Sequence, residues 1–226
     1  MVVVIGALVA AACGSGPGDA APAVTHLHPA VAASSTTARP RWSAGGHDLV
    51  EIWGGHVRHA RVVVPVADVG LAPLIVALHG VGGNGAQIEV DSRFDTAAGA
   101  SGYVVAYPDG VDHTWNAGTC CFAAVDEGVD DVGYVAHLVV EISAALPIDG
   151  GRVYLAGFSN GAMLAYRLAC EDAVMVAAVA SVAGTLAISP CRPSRPVSVL
   201  EIHGRYDRLV GFSRPFAGAV TGPRTR

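Results

Sequence analysis

Runs of apolar residues recur between residues 56 and 202, separated by glycine-rich turns or by segments with helical spacing. A run with few polar interruptions is typical of a strand that is buried on both faces of a sheet. On this basis the sequence predicts strands at 56–65, 74–78, 103–107, 153–156, 174–182 and 197–202.

Apolar residues spaced three and four apart predict helices between these strands. One helix is expected over 86–98, and another begins at residue 162. A third is capped by Asp130 or Asp131 and ends near Ala145. Its apolar face consists of Val132, Val135, Leu138, Val139 and Ile142. Because strand and helix alternate, we expect an α/β fold with a mostly parallel sheet covered by helices on both faces.

Composition narrows the function classes before any motif is considered. The chain has 226 residues, which suits one sizeable domain, and a formal net charge of -5 without a basic patch. We therefore expect no nucleic-acid partner. All 14 basic residues are arginine, which excludes a Schiff-base lysine and the phosphate-binding lysine of a P-loop. No Cys/His spacing suggests a metal site, and we expect a monomer without a cofactor.

The N-terminal part of the sequence predicts export. Residues 1–13 read as a signal peptide, because their apolar stretch is too short to span a bilayer and ends in small residues before Cys13. This end resembles a lipobox, in which the cysteine is lipid-modified; the alternative is a plain secretory signal. Residues 14–46 have the composition of a flexible linker. The folded domain is expected over 47–210 and an irregular tail over 211–226, with membrane contact only through the lipid anchor.

Four cysteines in the expected domain of an exported protein favour disulfide bonds over metal ligation. They are Cys120, Cys121, Cys170 and Cys191. A bond between the adjacent Cys120 and Cys121 closes a strained ring, so we expect each of them to reach Cys170 or Cys191. The sequence does not choose between the two pairings.

One pentapeptide carries the strongest chemical signal in the chain. Gly157-Phe158-Ser159-Asn160-Gly161 follows the apolar run at 153–156 and precedes a helical segment. The two glycines allow a sharp turn that exposes the serine hydroxyl. The pattern alone is weak, but the flanking strand and helix match the context of a nucleophile elbow. We interpret Ser159 as a nucleophile; the alternative is an ordinary helix-capping serine.

A serine nucleophile needs a base oriented by an acid, and N–H donors where negative charge develops. We expect one donor at the N–H of Asn160 and the second at Val81, with Gly80 as the alternative, in the glycine-rich loop after the second strand. Asp207 follows the last strand and comes after the serine in the chain, so it is the candidate acid. The alternative for Asp207 is a solvated turn aspartate.

The base is the part that the sequence does not supply in the usual order. All 9 histidines precede Asp207, and residues 208–226 contain none. His79 and His203 lie at strand ends near the expected site, and both fit structural loop positions better than a rerouted base. We therefore expect the closing strand and helix of the fold, together with the base, to be absent from this chain.

Several motifs occur in an order that marks a family resemblance. They are Leu78-His79-Gly80, Tyr107-Pro108-Asp109-Gly110, Trp115-Asn116-Ala117-Gly118 with Cys120-Cys121, Val129-Asp130-Asp131-Val132-Gly133, the serine pentapeptide with its neighbours, and Ile202-His203-Gly204 ahead of Asp207. Together they resemble the polyhydroxybutyrate depolymerase and feruloyl esterase family of secreted α/β-hydrolases, and the resemblance extends over residues 62–210.

The resemblance implies an α/β-hydrolase fold and hydrolysis of carboxylic esters, such as hydroxyalkanoate oligomers, hydroxycinnamoyl esters or small acyl esters. It also implies that Ser159 is the nucleophile and Asp207 the triad acid, and we expect His79 and Trp115 to contact the substrate. The family's histidine lies downstream of this aspartate, so it cannot be carried over.

Two other interpretations stay open. The first is a surface lipoprotein that keeps the fold, lacks the triad histidine and binds an ester or glycan in the cleft. The second is a peptidase of the prolyl-oligopeptidase type, which is less favoured because Ala162 stands where those proteins usually have a second glycine.

Overall fold

Strands form a single sheet in the computed structural model, which describes residues 42–66 and 70–212. In chain order they are β1 (Gly45–Trp53), β2 (His56–Val64), β3 (Ala72–Leu78), β4 (Val104–Pro108), β5 (Ile148–Phe158), β6 (Ala178–Val182) and β7 (Ser198–Ile202). Their order across the sheet is β1-β2-β4-β3-β5-β6-β7. The β1–β2 and β2–β4 pairings are antiparallel, and every other pairing is parallel.

Helices cover both faces of this sheet. In chain order the α-helices of the described residues are α1 (Gly85–Ser92), α2 (Phe94–Ser101), α3 (Phe122–Asp126), α4 (Asp131–Ala145) and α5 (Asn160–Glu171). Residues of α4 and α5 share the main core with the sheet, while α1 and α2 pack on a smaller cluster around Val105 and Tyr107. The α/β fold predicted from the alternation of strands and helices is confirmed.

The main core lies between the central strands and helices α4 and α5. Leu74 and Leu78 of β3 are fully buried, as are Leu138 of α4 and Leu164 of α5. Because β3 has strands on both sides and helices on both faces, its sequence is a continuous apolar run. The interior residues of the predicted α4 face are buried, and Val132 at its first turn is partly buried.

Strands β1, β5 and β6 differ most from the sequence expectation. β5 extends over 148–158, where the sequence predicts a strand over 153–156. β1 begins at Gly45, inside the segment expected as a linker, and pairs with β2 through a turn at Gly54 and Gly55. These glycines have φ of 58° and 86°, which suits the tight turn of a hairpin. The strand expected over 174–182 begins at Ala178. It follows a turn in which the Met175 N–H donates to the Asp172 carbonyl at 3.2 Å.

The helix expected over 86–98 is two helices. Arg93 adopts a left-handed conformation with φ of 54°, ends α1 and precedes α2. Such a conformation cannot continue a right-handed helix, and residue spacing alone does not reveal it. The short helix α3 also went unpredicted, since five residues are too few for a helical period.

The two aspartates at the start of α4 have different roles. Asp130 is the helix cap, and its side chain accepts the Gly133 N–H at 2.9 Å. Asp131 is fully buried and accepts a hydrogen bond from Arg58 of β2 at 2.8 Å. Burial raises the pKa of Asp131, and the Arg58 guanidinium opposes that shift.

The buried Arg58 joins three parts of the fold. Besides Asp131, it donates to the Asp109 carbonyl at 3.0 Å, and its guanidinium carbon lies 3.8 Å from the centre of the Tyr134 ring. The second oxygen of Asp131 accepts the Asn116 N–H at 2.7 Å. The ion pair therefore ties β2 and α4 to the loop that follows β4.

Replacing Asp131 by asparagine leaves the buried guanidinium without a counter-charge. We expect the free energy of unfolding to fall by about 3–5 kcal/mol, measured by urea denaturation. The matched control is Asp48→Asn, which removes the Asp48–Arg61 pair at 3.2 Å, with side chains 76% and 40% exposed. That change should cost less than about 1 kcal/mol. Equal small losses in both variants would contradict the prediction.

Cysteine pairing also differs from the sequence expectation. Cys170 near the end of α5 pairs with Cys191, with their Cα atoms 5.2 Å apart, inside the disulfide range. Cys120 and Cys121 form the second pair. The prediction that the adjacent cysteines reach Cys170 or Cys191 is therefore wrong. The end of α5 meets the loop after β6, so Cys170 and Cys191 pair with each other.

Some expectations concern residues outside the described part of the chain. The signal peptide at 1–13 with Cys13, the linker before residue 42 and the tail after residue 212 fall there. None of the helices that the structure describes has the length and apolarity needed to cross a bilayer. Within residues 42–66 and 70–212, β7 forms one edge of the sheet.

Candidate active site

Ser159 lies between β5 and α5 in a backbone conformation that few residues adopt. Its φ is 52° and its ψ is -116°. Conformations of this kind cost energy and cluster at functional sites. The Ser159 N–H donates to the Val182 carbonyl at the end of β6 at 2.8 Å, and the residue is half-buried. The turn has the backbone geometry that a nucleophile elbow needs.

Two glycines permit this turn because a side chain at either position would collide with backbone. A Cβ on Gly157 would lie 2.5 Å from the Ala162 nitrogen, and a Cβ on Gly161 would lie 2.5 Å from the His79 carbonyl oxygen. The start of α5 therefore touches the loop after β3 through main-chain atoms.

The loop after β3 lies directly against the elbow. A Cβ on Gly80 would lie 3.4 Å from the Ser159 Cβ and 2.9 Å from the Phe158 ring. The loop is closed by the Gly83 N–H, which donates to the Gly80 carbonyl at 3.1 Å. A side chain at position 80 would push the loop away from the serine.

Two backbone N–H groups next to Ser159 are left without an acceptor in the part of the chain that the structure describes. The Val81 N–H makes no hydrogen bond, whereas its neighbour Gly82 donates to the His113 carbonyl at 2.9 Å. Asn160 is the first residue of α5, where an N–H has no intrahelical partner. The sequence predicts oxyanion donors at these two residues, and that role stays a prediction.

His79 joins the loop after β3 to the loop after β4 by two hydrogen bonds. Its ring is 1% exposed, Nδ1 donates to the Gly80 carbonyl at 2.7 Å, and Nε2 accepts the Gly110 N–H at 3.0 Å. Burial lowers the pKa of His79, which favours the neutral ring. With both nitrogens occupied, this imidazole has no site for the proton of Ser159. The side chain is buried and both ring nitrogens are hydrogen-bonded, and its contact with substrate stays a prediction.

Trp115 and Asn160 form a buried pair that joins the elbow to the loop after β4. The Trp115 N–H donates to Asn160 Oδ1 at 2.8 Å, and Asn160 Nδ2 donates to the Trp115 carbonyl at 2.9 Å. The indole Nε1 donates to the His79 carbonyl at 3.0 Å. Trp115 is fully buried, so its predicted substrate contact also stays a prediction.

Asp207 lies in the loop after β7, at the same sheet edge as Ser159, because the carboxyl ends of parallel strands share one edge. Its Oδ1 accepts the N–H groups of Leu209 at 2.8 Å and Val210 at 3.0 Å. Its Oδ2 lies 3.7 Å from Nε2 of His203. One carboxylate oxygen thus shapes the local turn, and the other is left for a further partner.

The second histidine at a strand end is also fully engaged. Nδ1 of His203 lies 2.9 Å from Glu201 Oε1, and Nε2 lies 2.7 Å from the Val210 carbonyl oxygen. Neither His79 nor His203 therefore presents a free ring nitrogen. Both act as structural loop residues in this fold.

Some residues that shape the site carry no signal in the motifs. Asn160 was expected to contribute only its N–H, yet its side chain fixes Trp115. Arg167 of α5 donates to the carbonyl of Asn116 at 2.8 Å and to its side-chain oxygen at 2.9 Å. Long-range polar contacts of this kind have no sequence period, so only the structure reveals them.

The motifs around the elbow match a known protein family over most of the folded part. A model of the family described as esterase PHB depolymerase matches residues 57–208. The chain belongs to this family. The resemblance drawn from the motifs is thereby confirmed for the polyhydroxybutyrate depolymerase family, and the serine elbow and the loop after β3 lie inside the matched region.

Curated relatives carry esterase names. A protein from Nocardia uniformis subsp. tsuyamanensis, named as esterase NocK, is 37% identical over 195 residues, which cover 85% of this chain and 54% of NocK. Feruloyl esterase B from Piromyces equi is 32% identical over 160 residues, which cover 67% of this chain and 29% of that enzyme. The chain thus spans about half the length of NocK and less of the second relative.

Solved structures share the fold of this family member. Acetyl xylan esterase from Aspergillus awamori has a TM-score of 0.54 at 18% identity, covering 68% of this chain and 58% of the other. A thermostable esterase has a TM-score of 0.57 at 18% identity, covering 74% of this chain and 48% of the other. Together with the sheet order, these likenesses confirm the α/β-hydrolase fold.

Changing Asn160 to alanine removes the acceptor of the Trp115 N–H and leaves that buried group unsatisfied, while the Trp115 carbonyl keeps the Cys121 N–H at 3.3 Å. We expect the free energy of unfolding to fall by about 1–3 kcal/mol in a urea titration. Asn160→Asp is the matched variant, since it keeps an acceptor but sets two oxygens against each other, and it should destabilise at least as much. Stability like that of the unchanged protein in Asn160→Asp would contradict the role of the pair.

The lowered pKa of His79 makes stability depend on pH. Below about pH 6.5 the unfolded chain binds a proton at His79 that the folded protein resists, so stability falls as the pH drops. One such group contributes at most about 1.4 kcal/mol per pH unit. Unfolding free energies measured between pH 7 and 5 should fall less steeply in His79→Asn than in the unchanged protein. Identical slopes would refute the prediction.

Proposed function

We propose that this chain hydrolyses carboxylic esters by covalent catalysis at Ser159. The observation that carries the proposal is the strained, half-buried Ser159 turn beside the unpaired N–H groups of Val81 and Asn160. A hydroxyl presented there can attack an ester carbonyl while both donors face the forming oxyanion. Membership of the esterase PHB depolymerase family supports the same chemistry.

The reaction follows from the order in which bonds change. The Ser159 oxygen passes its proton to solvent water as it bonds to the ester carbon, and the carbonyl oxygen becomes an oxyanion held by the two N–H groups. Collapse breaks the bond to the alkoxide oxygen, which takes a proton from water and leaves as the alcohol. Water then hydrolyses the acyl-serine to the free acid. Each oxyanion donor is worth about 2.7–4 kcal/mol of transition-state stabilisation. The rigid contacts of the loop after β3 keep these donors in place before the substrate arrives.

Asp207 is the proposed acid of this site. Its loop follows β7 at the sheet edge of the elbow, and its Oδ2 is free of the turn that Oδ1 holds. A base must take the Ser159 proton, but both ring nitrogens of His79 and of His203 are already hydrogen-bonded. This observation favours a second candidate function, an ester-binding protein with impaired turnover.

The proposed substrates are small acyl or hydroxycinnamoyl esters and hydroxyalkanoate oligomers. Relatives named feruloyl esterase and acetylxylan esterase support ester substrates of this kind. We further propose that the protein is exported, with Cys13 as the lipid-modified residue. The apolar N-terminal stretch and the paired cysteines support export, because disulfides persist in oxidising compartments.

Turnover of p-nitrophenyl acetate and butyrate tests the proposal directly. We expect hydrolysis above the buffer rate, and a loss of at least about 100-fold from that activity in Ser159→Ala, because the nucleophile is removed. A fluorophosphonate probe should label the unchanged protein at Ser159. Equal rates in the two proteins would overturn the serine mechanism.

Added imidazole separates the two candidate functions. If the site lacks only a base, free imidazole can take the Ser159 proton, and turnover should rise with imidazole concentration in the unchanged protein. Ser159→Ala is the control, since imidazole also hydrolyses activated esters unaided. Ester binding without probe labelling and without rescue would favour the binding protein.

A further inference from the structure

A buried imidazole joins the last strand to the loop that carries Asp207. The side chain of His203 is 4% exposed and lies between Glu201 of β7 and the Val210 carbonyl. The distances are 2.9 Å from Nδ1 to Glu201 Oε1 and 2.7 Å from Nε2 to the Val210 oxygen. The ring therefore spans the gap between the strand and the turn.

Both partners of this ring are oxygens, and this limits where the protons can be. A carbonyl oxygen only accepts, so Nε2 must donate to Val210. Where Glu201 is a carboxylate, its Oε1 only accepts, so Nδ1 donates as well, although a neutral imidazole has a single N–H. The pair of Glu201 and His203 thus holds one proton more than a carboxylate with a neutral ring. Tyr166 of α5 fixes the carboxylate by donating to Glu201 Oε2 at 2.6 Å.

The turn held by this ring is the one that aims Asp207. Oδ1 of Asp207 accepts the N–H groups of Leu209 and Val210, and the carbonyl of Val210 accepts from His203. Asp207 closes the turn at its start, and the hydrogen bond from His203 to the Val210 carbonyl connects its end to β7. Val210 is 5% exposed, while Leu209 is 85% exposed, so apolar packing holds only one side of the turn.

We propose that His203 is a positioning residue, which clasps the Asp207 turn to β7 by donating one hydrogen bond from each ring nitrogen. The contribution of His203 to catalysis rests on the proposed function, because it depends on Asp207 being the acid of the site. His203 acts through Asp207 and does not touch the substrate. The clasp fixes the direction of Asp207 Oδ2, the oxygen left free for a base.

The charged and titratable groups around the ring come from three elements. Glu201 faces it from β7, Asp207 faces it from the turn with Oδ2 at 3.7 Å, and Tyr166 reaches it from α5 through Glu201. The Phe212 ring packs edge-on at 5.8 Å between centroids.

Amide hydrogen exchange of the full chain tests the clasp without any need for activity. In His203→Phe, which keeps a ring but has no donor, exchange at Leu209 and Val210 should speed up by about tenfold. His203→Gln retains one donor and should give a smaller increase. His137→Gln is the control, since it removes a distant His–Glu pair at 2.7 Å with Glu51 and should leave both amides unchanged.

Nitrogen NMR of the ring and steady-state kinetics complete the test. In the folded protein both ring nitrogens of His203 should carry a proton; a bare nitrogen facing Glu201 or Val210 would overturn the two-donor clasp. Where the unchanged protein turns over p-nitrophenyl butyrate, His203→Phe should lower kcat by about tenfold with KM unchanged. Unchanged exchange and unchanged kcat in His203→Phe would refute the proposal. An inactive parent protein would instead count against the proposed function, and exchange would still decide the clasp.

Discussion

The paired hydrogen bonds between the Asn160 side chain and the Trp115 main chain are the contact on which the rest of the site depends. Asn160 is also the residue after the serine, so one residue both begins α5 and fixes the loop after β4. Trp115 passes the constraint on, because its indole holds the His79 carbonyl. Three segments from distant parts of the chain are thus locked together by main-chain partners rather than by flexible surface side chains.

Burial makes these contacts between Asn160, Trp115 and His79 rigid, and it also makes any unpaired polar group among them costly in free energy. Polar groups removed from water must find partners, and a missing partner costs about 1–3 kcal/mol. The Arg58–Asp131 pair meets that requirement in part beneath the loop after β4. Asp131 also accepts the Asn116 N–H next to Trp115, whereas Arg58 Nε and Nη1 have no hydrogen-bond partner in the described residues. An apolar filling of the same space would pack as well, but it would not specify one loop conformation. The buried charges are best understood as fixing the loop that supports the oxyanion donors.

Much of the fold could be predicted because it follows from patterns with a physical period. Continuous apolar runs located the inner strands, and the glycines around Ser159 located the turn, since only glycine fits where backbones touch. What the sequence missed gives no strong apolar signal. Strand β1 lies at the sheet edge and contains no fully buried residue, and Arg93 breaks a helix by one backbone angle. Asp131 looks like a second helix cap in the sequence, and its burial depends on a strand more than 70 residues away.

Cysteine pairing shows why an argument from neighbouring residues does not predict contacts between distant parts of the chain. Ring strain was a sound argument about two adjacent residues, yet the pairing was decided by where the end of α5 meets the chain after β6. That meeting depends on the packing of α5 against the sheet, which no pair of cysteines encodes. The roles of Ser159, Val81 and Asp207 are different in kind, because each could be placed from a strand end and a short motif. Their chemistry stays a proposal until it is measured.

The two halves of the site rest on different physics, and this difference bears on how the protein would work. At His79, the loop that carries the proposed oxyanion donors is held by hydrogen bonds to backbone atoms, and burial lowers the pKa of that ring. The loop of the proposed acid is held by His203, which lies between Glu201 and the Val210 carbonyl. It also lies beside β7, the edge of the sheet in the described residues. Loss of order in this protein should therefore begin at the acid and leave the nucleophile turn intact.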